Sequence, residues 1–245
     1  MRIPRGLVTI AVCLLAVLAA AGCGGSSAPS GPAGSQGSTG PSGNPLAALT
    51  AKQILAKAIA DFKGVSSVHV AGSEQDSGQA FTINMTLGAK GCAGTIGMGG
   101  QGTVRLLRIG GTIWIKPDNK YWKSVMNGTP GDLSAVEGKY LRLSPKGPAT
   151  SSFSSFCYLS QLAGQFSAGA DRVAKGQAAT IGGQSALQLK DTQEAGAAYV
   201  TMSATPEILQ TGNSTGHVDF TDYNAPLALT PPPASQTIAG SRYGL

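Results

Sequence analysis

Within residues 49–88 the apolar spacing changes period, and that change limits the folds open to the chain more than any other feature. "LTAKQILAKAIADFKG" (residues 49–64) sets Leu55, Ile59 and Phe62 on one helical face, with Ile54 and Ala58 beside them. Thr50 fits an N-cap and Gln53, three residues on, completes a capping-box pattern. Gly64 supplies a C-terminal stop. Past it the period drops to two. "AFTINMTLG" (80–88) alternates Phe81, Ile83, Met85 and Leu87 with Thr82, Asn84 and Thr86, the pattern of a half-buried strand. "TVRLLRIGGTIWIK" reads as two strands about a Gly110-Gly111 turn, and "QAATIGGQSALQLKD" repeats the device at Gly182-Gly183. "AAYVTMSAT" and "STGHVDFTDY" add more. About ten short strands result, joined by connections too short for crossover helices, so the sheet is expected to be antiparallel.

A second short helix is expected in "ATSSFSSFCYLSQLAGQF" (149–166), where Phe156, Leu159, Leu162, Ala163 and Phe166 recur at helical spacing. One helix before the sheet and one in its middle favour an α+β arrangement. In it a strongly curved antiparallel sheet, a half-barrel, wraps its apolar face around the helices.

The N-terminus addresses location. In "MRIPRGLVTIAVCLLAVLAAAGC" Arg2 and Arg5 precede an apolar run that ends in small residues, the layout of a secretory signal. The run is short for a membrane span, which takes about 20 apolar residues. Ala20-Ala21-Gly22-Cys23 resembles a bacterial lipobox, in which the cysteine is lipidated and becomes the first mature residue. The alternative is an ordinary leader with a coincidental cysteine. Two acyl chains, at about 0.8 kcal/mol per buried CH₂, would hold the protein stably at a membrane. Residues 24–45 are uncharged and rich in Gly, Ser and Pro, a flexible tether with a reach of roughly 25 Å. The expected organisation is therefore a leader over 1–22, lipidated Cys23 and tether over 23–45, a single domain over 46–235, and a mobile tail over 236–245.

Loss of Arg2 and Arg5 with the leader leaves 16 Lys+Arg against 12 Asp+Glu, a formal +4 in place of +6. Read along the chain, this excess is mild and spread out, with no basic cluster of the kind that tracks a phosphate backbone. No nucleic-acid partner is expected, and attraction to an anionic membrane surface is at most mild. Cys13 leaves with the leader. Cys92 and Cys157 remain as an even pair in an exported domain, most simply one disulfide; two buried free thiols are the alternative. A disulfide would close a loop of roughly 65 residues and stabilise by about 4 kcal/mol.

This order of elements resembles the actinobacterial lipoprotein family that includes LppX, LprA, LprF and LprG, and more distantly the LolA-type lipoprotein carriers. The likeness rests on the lipobox and tether, on "AKAIADFKGVSSVHVAGS" as opening helix and strand, on "RLLRIGGTIWIK" followed by "KYW" as a central hairpin, and on "VDFTDYNAPLALTPPPA" as closing strand and proline exit. It implies a half-barrel around helices, with an apolar cavity between them that in some members carries acylated lipids or lipoglycans. The Cys92 and Cys157 pair and the Gly- and Ala-rich composition are departures from that pattern.

Chemistry has few carriers. His69 and His217 sit in alternating strand patterns, as edge or surface residues, and no G-x-S-x-G stretch accompanies them. Two histidines with scattered carboxylates make a poor metal set. "MGGQG" and "IGGT" lack the spacing of nucleotide-binding loops and read as hairpin turns. No cofactor and no enzymatic activity are expected. Ile59, Phe62, Ile83, Met85, Ile113, Ile115, Leu187, Leu189, Val200 and Met202 either fill a core or line a lipid cavity. Tyr121, Trp114 and Trp122 fit a cavity mouth, a membrane-facing rim or ordinary strand positions. The expected protein is a monomer, lipid-anchored on the extracytoplasmic face of the cell membrane, that binds or carries an acylated lipid or lipoglycan. The competing expectation is a non-enzymatic interaction module with a solid core.

Overall fold

The structure is a computed structural model that describes residues 44–76, 78–125, 133–167 and 169–243. The leader, Cys23 and the tether up to residue 43 lie outside the described residues. Those described belong to one compact unit, Ser42–Leu245.

Helix α1 (Ala51–Lys63) forms where the apolar spacing puts it. Thr50 Oγ1 accepts from the Gln53 amide and the Gln53 side chain accepts from the Thr50 amide, so the capping box is complete. Ala51, Ile54, Leu55, Ala58, Ile59 and Phe62 are all buried. Gly64 ends the helix without a left-handed turn, at φ −88° and ψ −7°, its amide donating back to Asp61.

Among the described residues twelve strands follow, two more than the turn signals indicated. The first six, β1 (Ser67–Asp76), β2 (Gln79–Gly88), β3 (Gly91–Met98), β4 (Thr103–Ile109), β5 (Thr112–Pro117) and β6 (Tyr140–Arg142), pair in sequence order as one antiparallel meander. A second meander comprises β7 (Val173–Ile181), β8 (Gln184–Asp191), β9 (Gly196–Thr201), β10 (Ile208–Asn213) and β11 (Gly216–Thr221). Antiparallel pairing of β1 with β11 fuses the two into one open, curved sheet. β3 escaped sequence reading because Gly91, Gly94 and Gly97 break its alternation. A Cβ on Gly94 would stand 2.1 Å from the Asn84 carbonyl oxygen and 2.7 Å from the Met85 sulfur, so the glycine makes room for fully buried Met85.

Three further helices differ from expectation. "NKYWKSV" is helix α2 (Asn119–Val125), not part of a hairpin. Asp118 starts it, accepting from the amides of Thr103 and Tyr121, and Trp122 is buried as a helical residue. The expected middle helix is two, α3 (Pro148–Ser154) and α4 (Leu159–Ser167), joined by a 3-10 turn at Ser155–Cys157.

After β11 the chain runs as an extended strap over the outer face of the sheet. Leu227 lies against Gly88 and Leu229 against Gly91, and farther on Lys139 Nζ donates to the Ser235 carbonyl. The expected mobile tail is instead tied in: β12 (Thr237–Ala239) pairs in parallel with β6. Three residues that find backbone partners 97 positions earlier, Thr237 opposite Tyr140, leave no local pattern to read.

Candidate functional site

The inner face of the sheet carries the core. Of the ten apolar residues singled out in the sequence, Ile59, Phe62, Met85, Ile113, Ile115, Leu187, Leu189 and Val200 are buried there, while Ile83 and Met202 are partly covered. Phe62 anchors an aromatic cluster, with ring centroids 5.3 Å from Phe166 and 6.1 Å from Phe220, both edge to face.

Packing loosens under α4. Ala163 is its one fully buried residue, and Leu159, Leu162 and Phe166 are half-buried. Two voids flank this helix on the inner face. One, of about 160 Å³, is walled by Ile83, Leu87, Phe156, Leu162, Val218 and Phe220. The other, a hollow of about 340 Å³ open to solvent, reaches Leu55, Val173, Leu189 and Ala198, with Arg172, Asp191 and Asn213 toward its mouth. Both touch Phe166, Gln165, Glu74 and Thr211, so one phenyl ring and a short polar rim separate them. Of the ten residues, Ile83 faces the smaller void and Leu189 the larger. Phe166, Phe156 and Leu162, noted in the sequence only as marks of a helix, are the ones that shape the groove. The Phe81 and Phe156 rings stack at 5.9 Å between sheet and turn.

The joint ahead of α4 is held firmly. Cys157 is joined to Cys92 on β3, with Cα atoms 5.3 Å apart. Arg108, opposite Cys92 in the β3–β4 register, donates to the carbonyls of Gly110 at 2.9 Å and Cys157 at 3.4 Å. Its guanidinium lies 4.4 Å from the centre of the exposed Tyr158 ring. No carboxylate pairs with this buried cation among the described residues. At the other side of the aromatic cluster, Tyr223 donates to the Ile208 carbonyl; burial first, and Glu207 second, push its hydroxyl well above the usual tyrosine range.

The histidines occupy the outer face of central strands and not the sheet edges. His69 on β1 has Thr221 Oγ1 at 3.2 Å and Asn84 Oδ1 at 3.1 Å, and His217 on β11 stands 3.6 Å from Asp219. Among the described residues no group of three or more His, Cys, Asp or Glu side chains could hold a metal. A hollow of about 430 Å³ on the outer face of β8 to β11 has Gln188, Lys190, Asp191 and His217 in its walls, a polar lining unsuited to an acyl chain. No helix among the described residues is long and apolar enough to cross a membrane.

No protein-family model matches the chain, and no curated protein matches it. Solved structures do. LprF from Mycobacterium bovis superposes with a TM-score of 0.51 at 15% identity, over 74% of this chain and 96% of that one. The Mycobacterium tuberculosis lipoprotein LppX superposes with a TM-score of 0.46 at 14% identity, over 74% and 98%. In architecture, an open curved sheet with helices packed on its inner face, the chain therefore shares the fold of LprF.

Proposed function

We propose that the protein is a lipid-anchored, extracytoplasmic carrier or binder of an acylated lipid, taken up between α4 and the inner face of the sheet. The observation that carries this reading is the pair of voids parted by Phe166. The smaller, of about 160 Å³, lies below the roughly 300–1,000 Å³ of small-molecule sites, so an acyl chain seated there would extend past Phe166 into the larger, of about 340 Å³. The smaller has an apolar wall of Val70, Ile83, Leu87, Val218 and Phe220, the larger adds Arg172, Asp191 and Asn213 at its mouth, and Glu74, Gln165 and Thr211 form a polar rim fit for a head group. Each methylene buried there would contribute about 0.8 kcal/mol, and no covalent chemistry is needed. Location follows from the leader and the Ala-Ala-Gly-Cys site at Cys23, with residues 24–45 as spacer. The shared fold with LprF agrees with this reading.

The test is native mass spectrometry of the chain purified from an actinobacterial host, followed by lipid extraction. A bound acylated lipid released on denaturation is expected, with uptake raised in Phe166→Ala and blocked in Phe166→Trp. A clean unliganded mass that persists with added lipids would sink the carrier reading in favour of a solid-core interaction module.

A further inference from the structure

The positive charge, which looks diffuse along the chain, is segregated in the fold. Residues 77–168 hold nine Lys+Arg against three Asp+Glu, and the rest of the chain after Cys23 holds seven against nine. The basic section comprises β2 to β6 and α2 to α4. On the outer face of its strands the register sets Arg105 opposite Lys116 and Trp114 opposite Arg142, and Lys116 Nζ lies 5.4 Å from the centre of the Tyr140 ring. Arg105 and Arg142 are exposed, and Trp114, Lys116 and Tyr140 partly so. Like charges directly opposite each other on neighbouring strands oppose folding. Here no acid relieves them: among the described residues none of the three cations has a carboxylate within ion-pair distance. Asp118, two residues past Lys116, accepts from the Thr103 and Tyr121 amides. The strap that crosses this face is uncharged from Tyr223 to Ser241.

We propose that this face, centred on Arg105, Lys116 and Arg142 with Trp114 and Tyr140, is a docking surface for an anionic lipid bilayer. Three unneutralised cations complement phosphate head groups. Trp and Tyr beside them are the amphipathic rings that settle at the head-group level of a membrane. A polyanion such as nucleic acid is met by cations tracking a backbone, and needs no such rings except to stack unpaired bases. Apposition of this face would hold the tethered domain against the membrane it is anchored to. The inference does not rest on the acyl groove, which opens on the opposite face.

The experiment uses the chain from Gly24 onward, without leader or lipid, and vesicles of phosphatidylglycerol in phosphatidylcholine, with pure phosphatidylcholine as the uncharged control. Partition onto the anionic vesicles alone is expected, weakening with salt. Neutralisation should weaken it about fivefold for Arg142→Gln alone and about 100-fold for Arg105→Gln, Lys116→Gln and Arg142→Gln together. The same charge removed from α1, by Lys52→Gln, Lys57→Gln and Lys63→Gln, should change it less than about twofold. Tryptophan fluorescence should shift to the blue on binding in the parent and not in Trp114→Phe. Phe166→Trp should leave partition unchanged, which separates this surface from the groove. Failure of the parent to bind, an equal loss in the α1 variant, or duplex DNA bound as tightly with the same dependence on the three cations would overturn the proposal. Should the triple variant fail to fold, the single Arg142→Gln carries the test.

Discussion

Helices α1 and α4 lie on the same inner face and touch each other, yet they are held in opposite ways. α1 buries six residues and has a completed N-cap. α4 buries one, has a void on either side, and owes its position to a disulfide at its entry and to aromatic edges around Phe166. A helix that fills its seat and a helix that roofs a partly empty one teach where the fold is rigid and where it can admit a guest. Local stability is uneven for the same reason, since few buried contacts permit local opening.

The largest effect separates the two at their shared contact. Phe62→Ala should cost about 3–5 kcal/mol in urea denaturation, as befits a fully packed phenyl group. Phe166→Ala should cost only about 1 kcal/mol, because its half-buried ring already borders empty space. Equal losses would break the distinction. Next, replacing both Cys92 and Cys157 by Ser should cost about 2–4 kcal/mol. Hydrogen exchange then sharpens the comparison: amide protection should fall in α4 while α1 keeps its own relative to global unfolding. Removing the α1 cap with Thr50→Ala should cost about 1 kcal/mol. The smallest effect concerns the link between α1 and the turn after α4. The Lys52 ammonium, by hydrogen bond and charge, holds the Asp171 carboxyl below the usual carboxylate range. A depressed folded value means stabilisation that is present above the unfolded carboxylate pKa and lost as pH falls through the folded one. An NMR titration should find the Asp171 midpoint below about 3.9, and Lys52→Met should return it there.

What could be read from the sequence divides along a similar line. α1 was legible because its cap, stripe and stop are all local. The turns at Gly110-Gly111 and Gly182-Gly183 were legible because Gly110, Gly182 and Gly183 take left-handed φ of 56°, 55° and 80°, which glycine permits and most residues avoid. α2 was not, since seven residues with Tyr121 and Trp122 at their centre carry too little periodicity to outweigh aromatic strand preference. The groove was hidden more deeply. Alternation marks which residues face inward, and it did so for Met85, Leu187 and Val200, but a filled core and a lined cavity share that pattern. Only the packing around Phe166 separates them. The outer cationic face escaped for another reason: Arg105, Lys116 and Arg142 are dispersed in the chain and are gathered by register alone.

The joint between β1 and β11 has a kinetic consequence. Apart from the β5–β6 link through α2, each meander closes through short connections, but His69 meets Thr221 across 152 residues. This pairing spans more chain than the 97-residue closure of β12 on β6, so the two together carry most of the long-range contact order that slows folding. During synthesis from the N-terminus, β1 is complete long before β11 exists, and its free edge must wait. The sequence Ser73-Glu74-Gln75 places polar side chains, one of them charged, along the later part of that edge, a means by which strands discourage pairing with the wrong partner. Premature release or truncation before residue 216 should therefore yield a half-sheet with an unpaired β1, which makes the last strands of the second meander the rate-setting part of the chain.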